Sequence, residues 1–478
     1  MKSTNLYNSR YRTRRRRLLV RRALIVTGVV AVVGICGTGA IFFNKLLKKD
    51  GSINTQAAMI ISQEDISASQ DPGDFQEISV PDPVQELIAQ ADLLATGYDY
   101  DGAIELLQSN ADYNTNPEVT NAISGYEAIK ETLVKADIYE ITHVFFHSLI
   151  VDTSKAFDGD PDEAGFNQVM TTVKEFEKIL QTMYDKGYVL VRLHDIAYET
   201  TDENGKTVMK PGTIMLPEGK IPFVMSQDDL CYYPYMDGDG FANRMIIGED
   251  GKPTCEMKMA DGSVSVGSYD LVPILEDFIT EHPDFSYKGA RAVLAFTGYE
   301  GILGYRTAAS YADSATYEQD RRQAAAVATC LRENGWELAS HSWGHLNMSS
   351  PERGGVSTER FRSDVNKWEE QVESLIGPTD IILFPFGSDV NDWRAYNSDN
   401  DRYMYLKAAG FRYYCNVDSS QYWVQMGEDY IRQGRRNLDG YRMWKDITAE
   451  DSSKRKLDDL FRAEDIFDSG RPTPVPEM

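Results

Sequence analysis

The sequence predicts an α/β fold for most of the chain, either a parallel barrel or a doubly wound sheet. From about residue 138 onward, short apolar runs typical of buried strands alternate with longer segments of helical period. The alternation lapses between Tyr232 and Gly267, where Gly, Asp and aromatic residues predict a loop with a hairpin. The apolar runs are THVFFHSL, YVLVRL, IPFVMSQ, RAVLAF, WELAS, DIILFPFG and FRYYCNV.

The N-terminal 49 residues differ in charge from the rest of the chain. They hold 12 Lys or Arg and no acid, whereas the remaining residues hold 37 basic against 74 acidic side chains. An uncharged apolar run over residues 23–43 follows the basic cluster YRTRRRRLLVRR, and a helix of that length spans about 30 Å, the thickness of a bilayer core. We therefore predict a basic cytoplasmic tail over residues 1–22, a single transmembrane helix over residues 23–43 and an extracellular remainder. A cleaved signal peptide is the alternative, disfavoured because the run is long and no A-x-A site follows it.

Charge and cysteine content narrow the classes of partner. The acidic outer part would repel polyanions, so we expect no nucleic-acid binding, and the arginine cluster beside a membrane span sets topology or touches anionic lipid. The cysteines outside the predicted span show no CxxC spacing, so a zinc–cysteine site is not indicated. Cys231 and Cys255 form either a disulfide or two free thiols.

Two segments separate the predicted span from the α/β region. Residues 44–83 are rich in Ser, Asp, Gln and Pro, which predicts a linker. Residues 84–137 place apolar residues at three- and four-residue spacing and resemble a tetratricopeptide-like helical hairpin. We favour a packing or spacer role for this helical segment, with binding of a protein partner as the alternative.

Residues that bind metals or move protons follow several of the predicted strands. FFHSL contains His147, IPFVMSQDD ends in Asp228 and Asp229, and WELASHSWGH contains His341 and His345. In a parallel α/β barrel the carboxyl ends of the strands gather on one face. Two carboxylates after an apolar strand need a cation or a donor, and two imidazoles with one carboxylate make a common open zinc site.

These motifs resemble the polysaccharide deacetylases, the carbohydrate esterase family four with the NodB-homology domain. SQDD is similar to the first motif of the family, HSWGH matches its His-Ser/Thr-x-x-His motif, and Pro385-Phe386-Gly387 is similar to the third. The resemblance implies a distorted (β/α) barrel over residues 138–450, preceded by the helical segment and the transmembrane helix and followed by a C-terminal tail over residues 451–478.

The resemblance also implies roles for individual residues. Asp228 would be the general base, and a divalent metal would be held by Asp229, His341 and His345. The backbone amide of Phe386 would hold the oxyanion, with Pro385 and Trp343 beside the substrate. The expected metal is Zn²⁺, with Co²⁺ or Ni²⁺ as alternatives.

Two departures from the family pattern change the expected site. Leu383 stands where the family carries an arginine two residues before the proline, and no histidine follows His345 to form a Leu-x-His motif. FFHSL resembles the Phe-His motif of a circularly permuted subgroup similar to poly-N-acetylglucosamine deacetylases, which implies His147 as the general acid. Asp418 is the carboxylate predicted to orient that histidine, with a turn cap through Ser419 and Ser420 as the alternative.

The sequence also suggests roles for other polar and aromatic residues. We interpret the remaining three histidines of the outer part, His143, His194 and His282, as structural. Arg436 and Asp439 form either a buried pair near the site or a surface turn. A set of aromatic residues either stacks on sugar rings or packs in the core and rim. These are Tyr232, Tyr233, Tyr235, Trp343 and Trp393.

The sequence thus predicts a membrane-anchored hydrolase that faces outward. The resemblance implies N-deacetylation of N-acetylhexosamine units in a cell-envelope or extracellular polysaccharide, either peptidoglycan or a poly-N-acetylglucosamine-like polymer. The rival hypothesis is a non-catalytic glycan-binding or envelope-assembly surface protein with a degenerate deacetylase domain. The intact DD and HSWGH sequences disfavour it, because a binding protein has no need of a complete ligand set.

Overall fold

The computed structural model describes residues 82–477. The predicted basic tail, the predicted transmembrane helix and nearly all of the predicted linker lie outside these residues. Between residues 82 and 477, no helix combines the length and the apolar character that a membrane span requires.

α-Helices occur along the whole of the described region. They are α1 (Pro83–Thr96), α2 (Tyr100–Ser109), α3 (Pro117–Lys130), α4 (Thr153–Ala156), α5 (Glu163–Val169), α6 (Val173–Asp185), α7 (Leu193–Ile196), α8 (Leu271–Glu281), α9 (Tyr317–Glu333), α10 (Thr358–Trp368), α11 (Ser374–Ile376), α12 (Asp401–Ala408), α13 (Gly440–Ile447) and α14 (Ala463–Ile466). A π-helical turn, Glu369–Glu373, joins α10 to α11.

The β-strands of the described region lie between these helices along the chain. They are β1 (Val134–Lys135), β2 (Thr142–Phe146), β3 (Tyr188–Leu190), β4 (Ala197–Thr201), β5 (Thr207–Pro211), β6 (Met215–Leu216), β7 (Ile221–Gln227), β8 (Arg244–Ile247), β9 (Pro253–Lys258), β10 (Val264–Gly267), β11 (Val293–Phe296), β12 (Glu337–Ser340), β13 (Ile381–Leu383), β14 (Tyr413–Val417), β15 (Val424–Met426) and β16 (Ile431–Asn437).

Seven parallel strands of the described region close into a barrel in the order β2, β7, β11, β12, β13, β14, β16. Pairing of β16 with β2 and of β7 with β11 closes the ring. This confirms the predicted barrel and excludes the open doubly wound sheet. Strand β3, which the run YVLVRL predicts, pairs with β7 beside the ring, and β8–β10 form an antiparallel sheet within the predicted loop-and-hairpin region.

Alternation along β2 illustrates how the barrel sorts its side chains. Val144 and Phe146 belong to the core between strands and helices, where Phe146 meets Phe176 of α6 edge-on at 4.9 Å. His143 points the other way and contacts Ser226 and Gln433 of neighbouring strands. Because successive strand residues face opposite sides, His147 continues the inward row at the carboxyl end of the strand.

Strand β16 completes the barrel although its sequence, IRQGRRN, lacks an apolar run. Its arginines are buried and each is paired: Arg432 with Asp389 at 2.9 Å, Arg435 with Asp228 at 2.6 Å, and Arg436 with Asp459 at 2.6 Å. Paired carboxylates offset the cost of burying the guanidinium groups. The sequence interpretation missed this strand because it relied on apolar side chains.

The helical segment packs on the barrel end opposite the carboxyl ends of the strands. Ala91, Ala103 and Val119 of α1–α3 share a core with inward barrel residues such as Ile381. Tyr98 donates a hydrogen bond at 2.8 Å to the carbonyl of Asp284, which lies in the turn after α8. These contacts agree with the packing role that the sequence favours.

Residues 451–477 differ from the predicted tail. Leu457, Leu460 and Phe461 are buried in the main core, and the Arg471 guanidinium binds the Glu175 carboxylate of α6 at 2.6 Å with both groups inaccessible to solvent. This segment is therefore part of the packed domain, because its apolar residues cover α6.

The described cysteines are free thiols. Cys231, Cys255, Cys330 and Cys415 are all buried and none forms a disulfide. Burial raises the pKa of the Cys415 thiol to about 12, so it stays protonated. Of the two alternatives for Cys231 and Cys255, the structure has free thiols.

Candidate metal centre and active site

Strand β7 delivers two adjacent aspartates that face different partners. The Asp228 N–H donates to the Phe146 carbonyl at 2.8 Å, which extends the β2–β7 pairing by one residue. Asp229 then adopts a left-handed backbone conformation with φ of 56°, uncommon for a residue with a side chain. This bend lets the Asp228 carboxylate reach Arg435 while Asp229 lies 3.5 Å from the His345 Nε2.

The loop after β12 folds back so that both of its histidines meet. Ser342 and His345 have positive φ values of 62° and 50°. The Asp364 carboxylate of α10 pins the loop by accepting hydrogen bonds from the Trp343 and Gly344 amides and from the Ser342 hydroxyl, at 2.7–2.9 Å. As a result, the His341 and His345 rings lie 5.1 Å apart.

Hydrogen bonding leaves one nitrogen of His341 open towards the site. Its Nδ1 donates to the Leu383 carbonyl at 2.8 Å, and a carbonyl can only accept, so the proton is on Nδ1. The lone pair of Nε2 is then free to bind a cation. For His345, burial lowers the pKa despite the nearby Asp229 carboxylate, which favours the neutral imidazole that metals bind.

Together these residues form a donor set that fits a divalent metal. One ligand atom each from Asp229, His341 and His345 lies within 4.8 Å of the others. Two imidazoles and one carboxylate suit Zn²⁺, Co²⁺ or Ni²⁺ and leave positions open for substrate and water. The structure thus brings together the three residues that the resemblance implies as metal ligands.

Asp228 sits beside this donor set in a buried ion pair. Its Oδ1 accepts a hydrogen bond from Arg435 at 2.6 Å, and its Oδ2 lies 3.8 Å from the His341 Nε2. Burial alone would raise the pKa of Asp228, but the charge of Arg435 outweighs it and holds the pKa below its ordinary value. The carboxylate is therefore charged and able to accept a proton.

Arg435 supplies a guanidinium that the third motif lacks. Leu383 is fully buried in the barrel interior, whereas Arg435 reaches Asp228 from β16. The sequence interpretation missed Arg435 because its contact with Asp228 joins residues more than 200 positions apart. The clue available in the sequence was a run of arginines in an otherwise acidic chain.

A buried polar chain inside the barrel holds Arg435 in place. The His143 Nδ1 donates to the Gln433 Oε1 at 3.0 Å, so its Nε2 accepts from the Ser226 hydroxyl at 2.9 Å. Ser226 in turn accepts from Arg435 at 3.3 Å. Burial and the Arg435 charge lower the pKa of His143 well below its usual value, which keeps this imidazole neutral. His143 is structural, as expected, and supports the partner of Asp228.

His147 lies at the carboxyl end of β2 near the same carboxylates. Its Nδ1 donates to the Val169 carbonyl at 3.0 Å, which leaves Nε2 open. His147 and Asp228 directly follow Phe146 and Gln227, which are paired in the parallel β2–β7 ladder. His147 therefore lies at the same end of the barrel as Asp228.

Asp418 and Asp439 follow strands β14 and β16, and each caps a local turn or helix. The Asp418 carboxylate accepts from the Ser420 amide at 2.7 Å, which is the turn cap raised as an alternative, and it has no described contact with His147. Asp439 caps α13 through the Arg442 amide at 2.7 Å, and its pKa, raised by burial, is lowered in part by His147. Asp439 thus interacts electrostatically with His147, and Arg436 pairs with Asp459 instead.

The Pro385–Gly387 turn forms the rim of the site beside His345. Phe386 has a left-handed φ of 57°, and its ring meets the His345 ring edge-on at 4.5 Å. Gly387 has a φ of 64°, and a Cβ there would lie 2.8 Å from the Val417 amide nitrogen, so the turn requires glycine. Among the described residues, the Phe386 amide donates to no backbone carbonyl.

The aromatic candidates divide between core and surface. Tyr232 is buried and donates to Asp270 at 2.7 Å, while Tyr233 donates to the Asp229 Oδ1 at 2.7 Å. Tyr235 and Trp393 are 52% and 72% exposed, which leaves them available to a sugar. Trp343 is partly buried beside the metal ligands, where its indole donates to Gln371 at 3.2 Å.

A second group of carboxylates lies on loops and shares no residue with this donor set. Asp160, Asp162 and Asp239 also place oxygen atoms within 4.8 Å of one another. Burial and the neighbouring acids raise the pKa of Asp239. In the described part of the chain, nothing beyond the carboxylates themselves separates this group from an ordinary acidic surface.

A parallel barrel with an Asp-His-His donor set and a charged carboxylate at its carboxyl end is typical of a metal-dependent hydrolase. Residues 308–412 match the family model described as Polysaccharide deacetylase, and no curated protein matches the chain. The match includes HSWGH and Pro385–Gly387, whereas Asp228 and β16 lie outside it. Residues 308–412 are therefore similar to a NodB-type polysaccharide deacetylase domain, and this similarity implies a hydrolase acting on amide C–N bonds. Such deacetylases generally depend on a divalent metal, and the structure has residues able to hold one.

Proposed function

We propose that this protein removes acetyl groups from N-acetylhexosamine units of a cell-envelope or extracellular polysaccharide. One observation carries the proposal: the ligand atoms of Asp229, His341 and His345 converge within 4.8 Å, with the Asp228 carboxylate beside His341. Peptidoglycan and a poly-N-acetylglucosamine-like polymer are the candidate substrates. We further propose a membrane-anchored, outward-facing enzyme, on the basis of the basic cluster and the apolar run over residues 23–43.

The proposed hydrolysis requires two proton transfers, one by Asp228 and one by His147. When bound, Zn²⁺ would polarise the acetamide carbonyl and acidify water at the positions that Asp229, His341 and His345 leave open. Asp228, kept charged by Arg435, accepts the proton of the attacking water as the new C–O bond forms. The Phe386 amide donates to the developing oxyanion. His147 then protonates the departing nitrogen, and the C–N bond breaks to give acetate and a free amine.

The position of His147 favours the circularly permuted subgroup. Its strand, β2, is the first strand of the barrel along the chain and lies between β16 and β7. The Nδ1 of His147 is held by the Val169 carbonyl, so Nε2 is the nitrogen that would carry the transferred proton. An acid at this position can serve the site without a histidine near the C-terminus.

Release of free amines from N-acetylglucosamine oligomers by the purified full chain tests the proposal. We expect activity with Zn²⁺ or Co²⁺, loss of activity with a chelator and recovery on addition of metal. Asp228→Asn should abolish amine release and retain the metal. A full chain that binds metal and releases no amine from any N-acetylated glycan would overturn the proposal and favour the non-catalytic glycan-binding hypothesis.

A further inference from the structure

A cavity of about 330 Å³ lies beside the loop that carries the two histidines. It is within the size range of pockets that hold small molecules, about 300–1,000 Å³. Tyr299 and Trp343 form aromatic parts of its lining, and Arg360, Asp364 and Lys367 of α10 contribute charged groups. The reaction derived above uses none of these five side chains.

The walls of the cavity are connected to the metal ligands on both sides. Trp343 lies between His341 and His345 in the chain. Tyr299 stacks on Tyr233 at 5.4 Å, and the Tyr233 hydroxyl donates to the Asp229 carboxylate at 2.7 Å. The cavity is thus joined to the metal ligands through the histidine loop on one side and through the Tyr299–Tyr233–Asp229 contacts on the other.

The charge of the cavity is opposite to that of the chain. Arg360 and Lys367 lie seven residues, or about two helical turns, apart on α10 and so share one face. The Lys367 ammonium lies 4.2 Å from the centre of the Trp343 ring, an attractive contact that holds the cation at the cavity. Neither cation has a carboxylate within 4.0 Å among residues 82–477.

The single acidic group among the described lining residues does not cancel this charge by pairing. The Asp364 carboxylate accepts three hydrogen bonds from the histidine loop, from Ser342, Trp343 and Gly344. Its oxygens are thus directed to the loop. Its charge still acts on Lys367, but none of the ion pairs of the described residues includes Arg360 or Lys367.

We propose that the cavity binds a sugar that carries an anionic oxygen group and is adjacent to the unit being deacetylated. Arg360 and Lys367 pair with the anion, a carboxylate or a phosphate, while Tyr299 and Trp343 contact the apolar parts of the sugar. This inference rests on the proposed function and deepens it, because it favours an acidic glycan such as peptidoglycan over a neutral poly-N-acetylglucosamine.

Direct binding tests the proposal without turnover, using the full chain with Asp228→Asn. Three oligosaccharides of equal length are compared by calorimetry: one with a carboxylate on alternate sugars, its uncharged carboxamide, and one with a phosphate instead. We expect one or both anionic forms to bind more tightly than the carboxamide, and the tighter form identifies the anion. Lys367→Gln and Arg360→Gln should each weaken anion binding about threefold to fivefold, as exposed ion pairs do, and leave the carboxamide unchanged.

Arg362→Gln is the matched control. This arginine is on the same helix, but its guanidinium lies over the Tyr405 ring at 5.3 Å and does not line the cavity. Equal binding of charged and uncharged glycans, or equal effects of all three substitutions, would overturn the inference. Lys367-dependent binding without amine release by the unsubstituted enzyme would overturn the proposed function alone, and amine release without any preference for the anion would overturn this inference alone.

Discussion

The two ends of the barrel each hold histidine beside carboxylates, with opposite chemical consequences. At the amino end, both ring nitrogens of His194 contact acids, Glu337 and Asp380, the latter at 3.0 Å. Burial alone would lower the pKa of His194, but the two acids raise it well above its usual value, so the ring is charged and has no lone pair to offer. At the carboxyl end, the Nδ1 of His341 is bonded to a carbonyl and its Nε2 faces the site.

Left-handed backbone conformations occur on both sides of the barrel, at Tyr98 and Lys288 on the amino side and at several site residues on the carboxyl side. Asp229, His345 and Phe386 all adopt positive φ values at the carboxyl end, where each positions a group of the site. Such conformations cost of order 1–3 kcal/mol each and persist only where the surrounding structure enforces them. The amino end is instead covered by the helical segment and bonded through its side chains. A ring nitrogen that is open to the site, rather than residue type or backbone strain, distinguishes the reactive end.

The first prediction concerns a substitution that removes a metal ligand at the carboxyl end of the barrel and leaves the amino end unchanged. His341→Ala removes one of three metal ligands, so we expect loss of bound zinc and a fall in deacetylation of roughly 10³-fold or more, since the metal contributes several kcal/mol. Elemental analysis of the purified protein and amine release measure both effects. His194→Gln is the control and should retain zinc. A His341→Ala protein with a full complement of zinc would contradict the assigned ligands.

The second prediction concerns Arg435, which connects the barrel interior to the site. Arg435→Gln leaves the Asp228 charge buried without its partner, so we expect unfolding to become about 3–5 kcal/mol easier and kcat/KM to fall about 10²-fold. Urea unfolding and steady-state kinetics measure the two effects, and zinc content should stay unchanged. Arg432→Gln breaks the pair with Asp389 on the same strand and should destabilise the fold with a smaller loss of kcat/KM. Equal kinetic losses in both variants would show that Arg435 acts through stability alone.

Local patterns were enough to predict the barrel class and the residues that cluster at its carboxyl end. Apolar runs predicted β2, β7 and four further barrel strands, and the motifs around Asp229 and His345 predicted residues that the structure brings together. These features depend on residues that are adjacent in the sequence. Strand β16 could not be predicted in this way, because its burial depends on carboxylates contributed from elsewhere in the chain.

Contacts between distant residues account for what the sequence did not reveal. The partner of Asp228 is more than 200 residues away, and the histidine loop is held by Asp364 of α10. Asp418 and Asp439 both follow barrel strands, and a sequence gives no means of deciding which contacts each carboxylate makes. The predicted transmembrane helix and the functional roles of the site residues remain predictions.

The third prediction sharpens the role of the hydroxyl that orients Asp229. Tyr233→Phe removes the hydrogen bond to the Asp229 Oδ1 and keeps the ring, so we expect zinc affinity to fall about tenfold, as loss of a group supporting a ligand does. Competition with a chelator of known affinity measures the change. Tyr232→Phe is the control, because that hydroxyl donates to Asp270 instead. Equal affinities of the Tyr233→Phe and unsubstituted proteins would show that the site orients Asp229 without this contact.

The fourth prediction tests the charge of His194, at the amino end of the barrel, through the pH dependence of the free energy of unfolding. The pKa of His194 is raised above its unfolded value near 6.5, so its stabilising effect is fully present below that pH and declines as pH rises through the folded pKa. We expect His194→Gln to cost about 1 kcal/mol at pH 6, a modest amount because water screens a side chain that is 41% exposed, and less at pH 9 and above. Urea unfolding of both proteins across this range measures the difference. A difference that grows with pH would mean that the folded protein holds this imidazole neutral, and the contrast between the two ends of the barrel would then fail.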